Sequence, residues 1–234
     1  MTSTTLRSAT TSRARVSTFT LKLAMAVTGW LFALFAAVHM YGNLKAWFGA
    51  DAYNGYAHWL HNALYPLLPR DGLLWIMRIV LAVALVVHVV ASLVLYLRGR
   101  RARGRFRRRG HNRWAAATMP WTGLLLLAFL TFHILDLTLG IAGAAEYRAA
   151  TADESFAYQN TVASMGRPLA GAAYLLAMLV LLVHLVHGLW SSATEFGLTG
   201  RRTRKAWKVI AYVLAIGITV GNLTLPIGVW TGLL

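Results

Sequence analysis

The sequence predicts an all-α integral membrane protein, a bundle of five transmembrane helices. Of its 234 residues, 58% are hydrophobic and only 13% are charged, whereas water-soluble domains are about half apolar and about a quarter charged. The mean hydropathy is +0.56. Five segments are long and apolar enough to cross a bilayer as a helix, which takes about 20 residues. They run over 20–44, 73–97, 114–141, 168–191 and 206–230.

Residues 1–19 precede the first span, are rich in Ser, Thr and Arg, and lack an apolar core. A cleaved signal peptide needs such a core. We therefore expect 1–19 to be a basic cytoplasmic tail and 20–234 to form one transmembrane domain.

The basic residues are distributed unevenly, and this predicts the orientation of the chain. The N-terminal region has four of them up to Lys22, the second connection (98–113) has nine, and the fourth has five, which makes 18 of the 23 Lys and Arg residues. Because cytoplasmic loops are enriched in Lys and Arg, we expect a cytoplasmic N-terminus and an outer C-terminus. The formal net charge of +16 is therefore interpreted as a topology signal.

The second connection, RGRRARGRFRRRGHNR, has two interpretations that both stay open. It is either a topogenic loop in contact with anionic lipid or a docking surface for a soluble partner. Nucleic acid is disfavoured as a partner, because the run is held between two spans.

The chain contains no cysteine, which excludes thiolate-ligated clusters and covalently attached c-type haem. Histidines inside the predicted spans are the remaining metal ligands. Ionisable residues in a span are costly and are usually functional. The first four spans contain them, at His39, His88, His133 and the pair His184 and His187.

The depth of these histidines predicts two pairs. His39 and His133 lie near the outer ends of their spans, and His88 and His184 lie nearer the cytoplasmic side. Two stacked b-type haems with bis-histidine ligation need this arrangement, because facing helices of a bundle each present one imidazole.

An internal repeat supports the pairing. TGWLFALFAAVH ends at His39 and TGLLLLAFLTFH ends at His133. The glycines Gly29 and Gly123 lie ten residues before those histidines, about 15 Å along a helix, and therefore near the inner level. A residue without a Cβ lets a flat macrocycle approach the backbone, although close helix packing is an alternative reason for glycine.

The repeat favours His184 over His187 as the partner of His88. His133 follows His39 by 94 residues, and His184 follows His88 by 96. His187 lies 99 residues after His88 and is instead a candidate for contact with a haem propionate or a quinone.

Three further histidines and one acid lie outside these pairs. His58 and His61 belong to a predicted interfacial helix (53–61), which either anchors the surface or covers an outer haem edge or quinone head group. His111 lies in the arginine run and is expected to be solvated or to face a partner. Asp136, one turn past His133, either orients an outer group or reaches the interface.

The sequence resembles the cytochrome b subunits of succinate:quinone oxidoreductases and fumarate reductases, in particular the five-helix, two-haem b558 type. The resemblance covers almost the whole chain. It is carried by the segments TG-x9-HMYGNLKAWFGADAYNGYAHWL, VVHVVASLVLYLR, TG-x9-HILDL and HLVHGLWSSATEFGL.

This resemblance implies a subunit of respiratory complex II in a bacterial cytoplasmic membrane, which links the tricarboxylic acid cycle to electron transport. It implies an inner haem b on His88 and His184 and an outer haem b on His39 and His133. It also implies a quinone, by resemblance menaquinone, as the electron acceptor. The implied partners are a flavoprotein with FAD and an iron–sulfur protein on the cytoplasmic face. Alternatives are the di-haem subunit of a hydrogenase or formate dehydrogenase, and a haem-free transporter or scaffold.

Overall fold

The computed structural model describes residues 16–105, 113–143 and 146–234, with the side chains of 113–116 left out. Within these residues the protein is all-α. Seven helices follow one another along the chain: α1 (Thr18–Asn43), α2 (Ala50–Asn62), α3 (Gly72–Arg103), α4 (Arg113–His133), α5 (Ala157–Gly166), α6 (Pro168–Glu195) and α7 (Arg201–Thr231). A 3-10 turn (Leu44–Phe48) continues α1, and a π-helical turn (Ile134–Thr138) continues α4.

Five of these helices, α1, α3, α4, α6 and α7, are long and apolar enough to cross a membrane. They coincide with the five predicted spans, so the predicted fold class is confirmed. Two of them extend into the predicted cytoplasmic connections, because α3 continues past Leu97 to Arg103 and α7 begins at Arg201. Arginine is a good helix former, and the positive charges in the last turn of α3 complement the helix dipole.

The connections on the predicted outer side contain two short helices. A helix is present where the interfacial helix was predicted, as α2, and it has no buried residue. The sequence pattern predicts no element where α5 lies. Tertiary contacts stabilise α5. The side chain of Asn160 accepts a hydrogen bond from the Arg148 N–H and donates one to the Arg148 carbonyl. The side chains of Thr161, Ser164 and Met165 are buried.

Hydrogen bonds join these outer segments to the spans. The Tyr53 hydroxyl in α2 donates to Asn43 Oδ1 over 3.0 Å, and Asn43 Nδ2 donates to Asn222 Oδ1 in α7 over 3.0 Å. Tyr53 is half-buried, and the loss of solvation raises the pKa of its hydroxyl above the ordinary value. At the start of α3, Asp71 bonds to His61.

The helices α1, α3, α4 and α6 form a four-helix arrangement with one open side. In the described part of the chain, α1 packs on α3, α1 packs on α6 and α4 packs on α6, while α3 and α4 have little or no close backbone contact. The diagonal pairs α1 with α4 and α3 with α6 also stay apart at the backbone level. Side chains rather than backbone therefore lie between the diagonally placed helices.

Helix α7 lies outside this arrangement and packs on α6 and α1. Its contact face has small residues, with Ala211 and Ala215 fully buried against Ala33, Leu185 and Leu189. Small residues let membrane helices approach closely. At the inner end, Trp30 Nε1 donates to Ser192 Oγ over 2.8 Å and Trp207 Nε1 donates to the Leu189 carbonyl over 2.9 Å.

Replacement of Gly171 tests the close packing of α6 against α5 and α7. A Cβ at Gly171 would lie 2.5 Å from the Met165 carbonyl oxygen and 2.7 Å from Trp230 Cζ2. We expect Gly171→Ala to lower the free energy of unfolding by about 1–3 kcal/mol, the usual cost of overpacking, measured by thermal unfolding in detergent. Gly217→Ala is the matched control, because a Cβ there meets nothing within 4 Å. Equal stability of the two variants would contradict this packing.

Candidate functional site

The predicted histidines meet in two pairs across the diagonals of the four-helix arrangement. The ring centroids of His39 (α1) and His133 (α4) are 5.9 Å apart, and their planes are inclined at 86°. The ring centroids of His88 (α3) and His184 (α6) are 6.5 Å apart, with planes at 57°. Four histidines from four different helices are thus brought together in the combination that the sequence predicted.

Each inner histidine bonds to the threonine that opens a Thr-Gly repeat. Thr28 Oγ1 lies 3.0 Å from His88 Nδ1, and Thr122 Oγ1 lies 3.1 Å from His184 Nδ1. The Thr-Gly segment of α1 therefore holds the histidine of α3, and that of α4 holds the histidine of α6.

The hydrogen bonds of Thr28 favour the tautomer of His88 in which Nδ1 has the proton. The Thr28 hydroxyl donates its only hydrogen to the Ala24 carbonyl over 2.7 Å, so towards His88 it acts as an acceptor. Nδ1 of His88 is therefore protonated, and in a neutral imidazole this leaves Nε2 with a free lone pair. Such second-partner hydrogen bonds orient histidines that bind metals.

The two glycines of the repeat lie against the inner imidazoles. A Cβ added to Gly29 would be 3.4 Å from Cε1 of His88, and one added to Gly123 would be 3.6 Å from Cε1 of His184. Both glycines are at the inner level, as predicted. An alanine side chain at either position would therefore touch the ring edge at ordinary van der Waals distance.

The outer histidines are supported by aromatic rings at the same repeat position. Phe35 stacks on His39 with centroids 5.5 Å apart and planes at 16°. Phe129 stacks on His133 with centroids 5.9 Å apart and planes at 29°. Each phenylalanine precedes its histidine by four residues, so the phenylalanine and histidine rings of each helix lie on the same face of that helix.

His133 also contacts a buried polar network. Its Nδ1 lies 3.4 Å from the Tyr174 hydroxyl, which donates to Asp136 Oδ2 over 3.1 Å. Asp136 accepts further hydrogen bonds from Ser164 Oγ and Arg167 Nη2. Asp136 has no exposed surface, so of its two predicted roles the structure excludes exposure at the interface.

The two histidine pairs lie at separate levels. Thr28 and His39 are 11 residues apart in the continuous helix α1, as are Thr122 and His133 in α4. At 1.5 Å per residue, the inner and outer levels are about 16 Å apart along the helix axes. This separation accommodates two independent binding sites.

The remaining predicted histidines do not join these pairs. His187 lies beside Trp190, with ring centroids 6.4 Å apart, so it is His184 that the structure places next to His88. His58 and His61 stay within the outer segments, where His58 contacts Asn62. His111 lies outside the described residues.

No family model matches the chain, and no curated protein or solved structure matches it either.

The geometry of each pair fits a haem iron. A haem iron has two axial positions, both of which can be occupied by protein ligands. Metal–imidazole bonds are about 2.0–2.1 Å long in zinc sites. Two imidazoles at similar distances on opposite sides of one iron have ring centroids roughly 6 Å apart. The described residues contain no group of three or more His, Asp or Glu side chains that could hold a bare metal ion.

Loss of the Thr28 hydroxyl tests the support of His88. Thr28→Val leaves the Nδ1 hydrogen of His88 without its acceptor, which costs about 1–3 kcal/mol when the group is buried. We expect a correspondingly lower midpoint of thermal unfolding, restored by Thr28→Ser.

Thr131→Val is the matched control, because Thr131 in α4 donates only to a backbone carbonyl of its own helix and is exposed. If Thr28→Val and Thr131→Val unfold at the same temperature, the Thr28 hydroxyl does not stabilise His88.

Proposed function

We propose that this chain is the membrane-anchor cytochrome b subunit of a succinate:quinone oxidoreductase. In this proposal His88 and His184 are the axial ligands of an inner haem b, and His39 and His133 are those of an outer haem b. The observation that supports it best is the meeting of four membrane histidines in two pairs, at two levels, on the diagonals of a four-helix arrangement.

The proposed work of the protein residues is binding, orientation and exclusion of water. The histidines bind through Nε2, and Thr28 and Thr122 hold the inner rings by Nδ1. Gly29 and Gly123 keep the backbone close to the inner level, which permits packing against a macrocycle. Bound haem supplies one-electron carriers, whose potentials depend on axial ligands, hydrogen bonds and burial.

The proposed partners bind at the basic end of the bundle. In the described chain, exposed arginines and lysines lie at the end of α3 and at the start of α7. At the same end of the bundle, Lys22 forms an ion pair with Glu195 at 3.2 Å. A flavoprotein with FAD and an iron–sulfur protein are proposed to dock there and to deliver electrons from succinate. The electrons leave to a quinone, proposed to be menaquinone, and His187 is a candidate contact for it or for a haem propionate.

The absorption spectrum tests the proposed haem content. We expect the purified protein to show a b-type α-band in the reduced-minus-oxidised spectrum, with about two haems per chain. His39→Ala and His88→Ala are each expected to remove one haem, since each removes one axial ligand.

His58→Ala is the control for these variants. Because His58 lies outside both pairs, this variant is expected to keep both haems bound.

Absence of a Soret band from the unmutated protein would favour a haem-free transporter or scaffold. Identification of the co-purified subunits distinguishes the succinate enzyme from a hydrogenase or formate dehydrogenase.

Single-cysteine labelling tests the proposed orientation in the bacterial cytoplasmic membrane. The chain has no cysteine of its own, and Ala150 and Thr199 are exposed in connections at opposite ends of the bundle. We expect a membrane-impermeant maleimide to label Ala150→Cys in intact spheroplasts and to label Thr199→Cys only after lysis. The opposite result would reverse the proposed topology.

A further inference from the structure

The four-helix arrangement has two halves, α1 with α3 and α4 with α6. Their residues match at the level of the inner histidines but differ at the level of the outer histidines. Ten residues before His184, helix α6 has Tyr174, which faces His133. Ten residues before His88, helix α3 has Arg78, which is exposed and lies 5.1 Å from the Trp75 ring. One half of the bundle thus has a hydroxyl at the outer pair where the other half has a surface cation.

The residues that follow the outer histidines differ in the same way. Asp136 comes three residues after His133, and Gly42 comes three residues after His39. Asp136 is in the π-helical turn, and such turns are frequent at functional sites. The carboxylate is fully buried and accepts three hydrogen bonds, from Ser164, Arg167 and Tyr174.

The direction of the hydrogen bonds in this network follows from the carboxylate. An ionised carboxylate only accepts, so the single hydrogen of the Tyr174 hydroxyl points to Asp136. The oxygen of Tyr174 then faces His133 Nδ1 with its lone pairs, at 3.4 Å. His133 is accordingly the donor, and its Nδ1 is protonated while Nε2 is free.

We propose that Tyr174, held by Asp136, is a positioning residue that orients His133 and makes the outer histidine pair electronically different from the inner pair. This inference rests on the proposed haem ligation by His39 and His133. The inner rings bond to neutral threonine hydroxyls, whereas His133 bonds to a hydroxyl that is itself bound to a buried carboxylate.

This difference has a predictable sign. A hydrogen-bond acceptor on the second ring nitrogen raises the basicity of a histidine ligand. A more basic ligand stabilises the oxidised iron and lowers its reduction potential, which is one of the levers by which proteins tune haem. Tyr174 and Asp136 therefore lower the potential of the outer haem relative to the same site without them.

Potentiometric titration of the purified protein tests the proposal. Tyr174→Phe removes only the hydroxyl, and we expect the outer haem to shift to higher potential while the inner haem keeps its potential. The outer haem is identified as the α-band component that His39→Ala removes. Tyr212→Phe is the control, because Tyr212 lies on the exposed side of α7.

A second variant keeps the test decisive if Tyr174→Phe loses the outer haem. Asp136→Asn retains the hydroxyl but removes the carboxylate behind it, and the same upward shift of the outer haem is expected. In the double variant the two shifts should not add, because both act through one hydrogen-bonded chain.

Three results would overturn the inference. If the reduction potential of the outer haem is unchanged in Tyr174→Phe and Asp136→Asn proteins that retain both haems, Tyr174 does not act on His133. Equal shifts of both haems would indicate a general loosening of the bundle instead. A chain that binds no haem even without mutation would refute the proposed function first, and this inference with it.

Discussion

The arrangement of the inner histidine pair depends on a threonine hydroxyl that already donates its hydrogen to a carbonyl of its own helix. In a membrane interior a backbone-bonded hydroxyl has no hydrogen left to give, so towards a neighbouring imidazole it acts only as an acceptor. Thr28 fixes the protonated nitrogen of His88 in this way, and Thr122 has the same contacts with His184. Nε2, the other ring nitrogen, is then unprotonated in a neutral imidazole, which is the form that a metal ligand needs.

The same contact explains the packing of the two halves. Because Thr28 must reach His88, α1 lies against α3 with Gly29 at the imidazole edge, and α4 lies against α6 for the corresponding reason. The paired histidines then come from helices that are diagonal neighbours. The diagonal helices have little or no close backbone contact, so it is the histidine side chains that meet between them.

Much of this could be predicted from the sequence because the dominant signals are local. The five spans follow from apolar length, and the levels of His39 and His88 follow from counting residues along a helix. The repeat also contained a signal that went unused, because Phe35 and Phe129 occupy one position in it. Their stacking on the outer histidines could have been predicted from that coincidence.

The parts that could not be predicted depend on contacts between distant segments. Helix α5 is short and of mixed polarity, and it is stabilised by partners such as Arg148 that no local pattern reveals. The role of Tyr174 likewise requires knowing that α6 faces the end of α4. The sequence left the position of Asp136 open for the same reason, since only the tertiary structure shows the three donors that make its burial possible.

The equivalence of the two halves has a consequence for how such a protein can be built. Each histidine pair joins two equivalent positions of the repeat. The helix packing around them is not two-fold symmetric, because α1 packs on α6 while α3 and α4 have little or no close backbone contact in the described chain. A two-helix hairpin with one Thr-Gly segment and two histidines would generate both pairs simply by forming a symmetric dimer. A single chain with two such segments leaves each half free to differ, as at the outer end, where Tyr174 corresponds to Arg78 and Asp136 corresponds to Gly42.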